Sequence, residues 1–136
     1  MFDSNGLVHL DAKDVQATHD AIIDTIGGLP GNRENMSIEA PLHRVHFTLA
    51  YSNDLSNVFD VAAFYAEAIS RGHVFADGNK RTATVCMLDF LELNGVAIEL
   101  NNSLLTDKIV DLAEGRIDFK VMSRWLAQCA KESFTA

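Results

Sequence analysis

Apolar residues recur at helical spacing along most of this chain, in segments divided by glycine, proline and asparagine. Val15, Ile22, Ile23 and Ile26 predict a first helix from about Asp11 to Ile26, with Asp11 as N-cap and Gly27-Gly28 as its stop. Leu42, Val45 and Leu49 predict a second from Ala40 to Tyr51, with Pro41 in its first turn. Ser56 or Asn57 caps a third helix ending at Gly72, whose buried side holds Val58, Val61, Ala62, Tyr65, Ala68 and Ile69. From Asn79 to Leu93 apolar residues fall on more than one face, so this fourth helix is expected at the centre of the molecule. Asn94-Gly95 ends it.

Val96 to Leu100 alternates weakly, as a short strand or an extended connection does. Thr106 is the expected cap of a helix ending at Gly115. Asp118 starts the last helix, with Phe119, Met122, Trp125, Leu126 and Cys129 on its inner face. The expected fold class is all-α, a compact bundle of about six helices in one domain spanning residues 1–136.

Composition narrows the function. Apolar content of 48% and a charged fraction of 22% are those of an ordinary globular protein. The net charge of −8 argues against a dedicated nucleic-acid binder. No apolar run could span a bilayer and no secretory leader is visible, which makes a cytoplasmic protein the expectation. Cys86 and Cys129 fall in apolar helical stretches without zinc-site spacing, and read as packed thiols. His43 and His46 stand three apart but lack a third ligand, so their spacing reads as coincidence. His19 and Asp20 are neighbours that point in different directions, and His19 is expected as a hydrogen-bonded core residue.

Chemistry concentrates in one place, His73-Val-Phe-Ala-Asp-Gly-Asn-Lys-Arg81. This is a loop running into a helix start, where free backbone N–H groups and the macrodipole favour an anion. Lys80 and Arg81 are ill-placed in a first turn on dipole grounds, and an anionic ligand such as phosphate removes that conflict. Asp77 could hold Mg²⁺ through a carboxylate oxygen, with water and phosphate completing its shell. His73 suits a general base for a hydroxyl, Phe75 a buried anchor, Gly78 and Asn79 an anion nest, and Lys80 and Arg81 phosphate clamps. Asn79 could also orient a transferring phosphoryl group.

The same residues resemble the signature of the Fic/Doc (Fido) family, His-x-Phe-x-Asp/Glu-Gly-Asn-x-Arg, position by position. Leu10 to Asp20, Gly27-Gly-Leu-Pro-Gly31 and Phe90-Leu-Glu-Leu-Asn-Gly95 look like its death-on-curing (Doc) toxin branch, so the resemblance runs over roughly residues 7 to 130. The AMP-transferring Fic proteins carry a small residue after the asparagine and a second arginine three positions past the first. Here those positions are Lys80 and Thr84, as in Doc. Gly78 departs toward Fic, since Doc itself has alanine there.

The resemblance implies a Fido bundle with a short flap over the active site, placed at Leu29 to Ile38. It implies a toxin that uses ATP and Mg²⁺ to transfer the γ-phosphate to a hydroxyl of elongation factor Tu, arresting translation. Two alternatives are AMP transfer to a protein hydroxyl and a catalytically silent domain that binds its antitoxin as a co-repressor. The self-inhibiting pattern of some Fic proteins does not fit, because Pro30 and Val110 occupy its first position ahead of Glu34 and Glu114. Restraint is therefore expected from an antitoxin whose disordered tail folds onto the toxin.

Overall fold

A computed structural model describes residues 6–135. Six helices follow one another: α1 (Ala12–Ile26), α2 (Glu39–Tyr51), α3 (Val58–Gly72), α4 (Asn79–Leu93), α5 (Asn102–Ala113) and α6 (Phe119–Thr135). The fold is all-α, as the apolar periodicity predicts. An isolated antiparallel bridge joins Asn32 to Phe75. Among the described residues no helix is long and apolar enough to cross a membrane.

Local chemistry sets most of the boundaries. Asp11 accepts from the Asp14 N–H while Asp14 reaches back to the Asp11 N–H, a reciprocal cap on α1. Asn57, not Ser56, caps α3 by accepting from the Asp60 N–H at 3.0 Å. Asp118 accepts from the Val121 N–H at the start of α6. The connection from Val96 to Leu100 forms no strand, but Val96, Ile98 and Leu100 all pack against the core, so its alternation was an extended edge.

Two expectations need correction. Asn101 caps α5, accepting from the Leu104 N–H at 3.0 Å, and the helix runs Asn102–Ala113. Thr106 instead sits inside α5 and donates its hydroxyl to the Asn102 carbonyl, an arrangement threonine adopts readily in helices. The helix could start earlier because Leu105, Ile109 and Leu112 share one buried stripe.

The second correction concerns the centre of the bundle. Every residue of α3 from Val61 to Ser70 is buried, and α3 packs against α2, α4, α5 and α6. By contrast, α4 leaves Val85 and Leu93 exposed. Four alanines in α3, Ala62, Ala63, Ala66 and Ala68, are the small side chains that let several helices approach it. Its buried carboxylate, Glu67, meets Arg71 at 3.2 Å and Arg44 at 3.4 Å. Arg71 also donates to the carbonyls of Leu112 and Ile117, tying the α5–α6 turn to the last turn of α3. Cys86 is buried in α4, and burial with the nearby Asp89 charge pushes its thiol up to about 12. Cys129 in α6 is only half-buried.

Candidate active site

Three parts of the chain converge on a cleft of about 750 Å³: the α1–α2 connection, the loop from α3 to α4, and the end of α5. Ten of its fourteen lining residues lie in the first two of these or at the start of α4.

The α3–α4 loop is held from several sides. Phe75 is fully buried, with its ring stacked on that of His19 at 3.7 Å between centroids and 6° between planes. Asn79 donates its amide to the Phe75 carbonyl and accepts from the Phe75 N–H, closing the loop on the first turn of α4. The α1–α2 connection pairs with the loop from outside: the Arg33 N–H donates to Val74 at 2.7 Å, and the Ala76 N–H donates to Gly31 at 3.0 Å. Thus the expected flap region does lie along the motif, and its paired part is residues 31–33. The Asn79 side chain is engaged with loop backbone, so it shapes the site by fixing the loop.

His73 follows α3 directly and adopts a left-handed backbone, φ 51° and ψ 37°. Helices commonly end on such a residue, but glycine usually supplies it, because a β-carbon is strained there. A histidine in that place costs roughly 1 kcal/mol or more and persists where the surroundings over-determine it. The geometry directs the chain sharply out of α3, and His73 stands exposed on the cleft.

Asp77 and Gly78 form the corner before α4. The Asp77 carboxylate accepts from the Gly78 N–H at 3.0 Å and from the Leu29 N–H at 3.3 Å. Gly28 passes so close that a β-carbon there would lie 2.9 Å from Asp77 Oδ2. Gly78 has φ 83° and is followed immediately by the helix. No side chain caps α4, and its first intrahelical bond is Thr82 N–H to Gly78 C=O, which leaves the N–H groups of Asn79, Lys80 and Arg81 ahead of the hydrogen-bonded ladder.

Lys80 and Arg81 are exposed on the same cleft and have no ion-pair partner among the described residues. Arg33 joins them from the flap side. Three cations against the carboxylates of Asp77 and Glu114 make this wall positive on a chain of net charge −8. That local reversal of sign favours an anion. Among the described residues no group of three or more His, Cys, Asp or Glu is placed to hold a metal. The Asp77 carboxylate, on the same cleft as the uncapped helix start, nevertheless fits Mg²⁺, which commonly keeps several waters and one or two carboxylates.

The structure brings His73, Asp77, Gly78, Asn79, Lys80 and Arg81 to one cleft and places Phe75 beneath them. Sequence reasoning left out Arg33, which carries no motif and reaches the cleft only through long-range pairing. It placed His19 in the core but not against the motif. His43 and His46 lie exposed on α2, away from the cleft.

Comparison with known proteins agrees with this geometry. The family model described as the Fic/DOC family matches residues 9–91. Protein kinase doc of Escherichia phage P1 is 40% identical over 109 residues, covering 80% of this chain and 85% of the relative. Toxin Doc of Mycolicibacterium smegmatis is 33% identical over 106 residues, covering 78% and 75%. The match takes in the whole motif, its supporting helices and most of the length of both relatives, and the chain belongs to the Fic/Doc family.

Proposed function

We propose that this protein is a Doc-like toxin that transfers the γ-phosphate of ATP to a hydroxyl on a protein, with elongation factor Tu as the target. The observation that carries the reading is an uncapped helix start bearing Lys80 and Arg81, with His73 exposed on the same cleft. Its relationship to a protein named as a kinase supports phosphate transfer.

In this reading the N–H groups at the start of α4 bind phosphate oxygens, and Lys80 and Arg81 neutralise their charge. Asp77 would hold Mg²⁺, which when bound neutralises charge on the phosphates. His73 accepts the proton of the target hydroxyl as its oxygen bonds to the γ-phosphorus. The bond from that phosphorus to the bridging oxygen breaks, and ADP leaves. Thr84, where AMP-transferring relatives carry an arginine, donates its hydroxyl to the Lys80 carbonyl and so turns back onto its own helix. It offers no cation to a nucleotide, which favours phosphate over AMP transfer. Translation would stop as the modified factor accumulates, and a cognate antitoxin would restrain the toxin.

The test is the intact mass of purified elongation factor Tu after incubation with this protein, ATP and Mg²⁺. A gain of one phosphate, absent with His73→Ala, is expected. A gain of AMP would replace the kinase reading with adenylyl transfer, and no gain would remove elongation factor Tu as the target.

A further inference from the structure

The Asp77–Gly78 peptide is gripped from the core side by a histidine outside the motif. His19 lies in α1, fully buried, with its ring parallel to that of Phe75. Its Nε2 is 2.8 Å from the Asp77 carbonyl oxygen. A carbonyl oxygen only accepts, so Nε2 carries the hydrogen and donates it. On the other edge of the ring, Nδ1 faces Asp20 Oδ1 at 3.2 Å, and Gln16 donates to that same oxygen at 3.1 Å. Neighbours on α1 thereby steer the ring.

A trans peptide is planar, and its C=O and N–H point in opposite directions. Holding the Asp77 carbonyl toward His19 therefore turns the Gly78 N–H the other way, where it meets the Asp77 carboxylate on the cleft. Gly78 cannot enforce this alone, because glycine populates both signs of φ about equally. A flipped peptide would present a carbonyl oxygen where a phosphate needs a donor. The ring also lies close beneath the corner, since a β-carbon added at Gly78 would lie 3.5 Å from it.

We propose that His19 is a positioning residue of the phosphate site, keeping the Gly78 N–H turned into the cleft by donating to the Asp77 carbonyl. This rests on the reading of the cleft as a polyphosphate site, and holds whether phosphate or AMP is transferred. Stacking on Phe75 does not explain the arrangement, because any aromatic ring could stack while only a donor can hold the carbonyl.

Two substitutions separate these roles. His19→Phe keeps a ring against Phe75 and removes the donor, whereas His19→Gln gives up the ring and keeps an N–H near the place of Nε2. The readouts are the Mg-ATP dissociation constant by calorimetry and the Gly78 amide resonance of the ¹⁵N-labelled free protein. His19→Phe is expected to weaken Mg-ATP binding about tenfold, the scale of one buried hydrogen bond, and to displace the Gly78 resonance. His19→Gln is expected to recover most of the affinity and return the resonance toward its wild-type position. A His19→Phe protein that binds like wild type with Gly78 unmoved would overturn the proposal, as would a glutamine variant no better than phenylalanine. If His19→Phe does not fold, the glutamine variant decides: near-wild-type affinity and an unmoved Gly78 support the role, and loss of both sinks it. Should the wild-type chain bind Mg-ATP but modify no protein, the kinase reading fails while this comparison still stands. If it binds no Mg-ATP, the reading of the cleft fails, and the Gly78 resonance of the free proteins decides for His19.

Discussion

Two helices of equal length, α3 and α4, meet at the motif, and their N-termini are finished in opposite ways. At the start of α3, Asn57 caps the Asp60 N–H, and Asp60 lies in the first turn where the dipole favours it. Asp60 in turn accepts from the Ser56 N–H at 2.9 Å and the Ser123 hydroxyl at 2.6 Å. The Asn57 and Asp60 side chains there are both answered by the chain itself. At the start of α4 there is a glycine, no side-chain cap, and two cations that the dipole disfavours. The fold plainly can cap a helix, since α1, α3 and α5 all carry side-chain caps. Helix α2 also lacks a side-chain cap but has Glu39 in its first turn. What differs at α4 is an uncapped start carrying two cations, an arrangement that suits the anion proposed above.

Substitutions on each side should expose that contrast. The largest effect is expected from His73→Ala, which should slow transfer about 10²–10⁴-fold, the usual contribution of a general base, as read by intact mass of the target. Its fold should survive, as circular dichroism would show. Next comes Asn57→Ala, expected to cost about 1 kcal/mol in urea unfolding while transfer continues at the wild-type rate. A large loss of activity there would mean that the two helix starts are not independent.

His73→Gly should be as inactive as His73→Ala yet more stable than it by about 0.5–1 kcal/mol, seen as a higher melting temperature, because glycine relieves the left-handed backbone. Equal melting temperatures would show that His73 carries no strain. The smallest change in stability belongs to Lys80→Glu, which places an anion in the first turn of α4. It should stabilise the free protein by a few tenths of a kcal/mol while weakening Mg-ATP binding, measured by thermal shift and calorimetry. A variant that binds Mg-ATP as tightly as wild type would remove Lys80 from the phosphate clamp.

Legibility in the sequence follows the range of the interactions. Caps at Asp11 and Asp118 act over three residues and could be read directly. Asn101 was missed because Thr106 was read as the cap, although the apolar stripe already includes Leu105 ahead of that threonine. The central place of α3 depends on its alanines, whose small size allows close approach and which a reading of apolar periodicity does not weigh. Within the site, the motif is contiguous and so visible as chemistry. The contacts that shape it are not: His19 meets Asp77 across 58 positions, and the Arg33 N–H meets the Val74 carbonyl from a separate loop. Asn79 could have been read as a clamp from its spacing of four to Phe75, although its polarity beside a phosphate motif suggested a direct role.

The left-handed backbone at His73 also bears on how such a gene would age. Selection holds a strained residue only while its side chain is needed. If His73 is the base proposed above, then once the activity is no longer useful, or becomes a burden to its host, replacement of His73 by glycine would both silence the protein and make it sturdier. Most inactivating changes carry a folding penalty, and this one carries a reward. Descendants that keep the fold for partner binding alone are therefore expected to lose the histidine before they lose the helices around it.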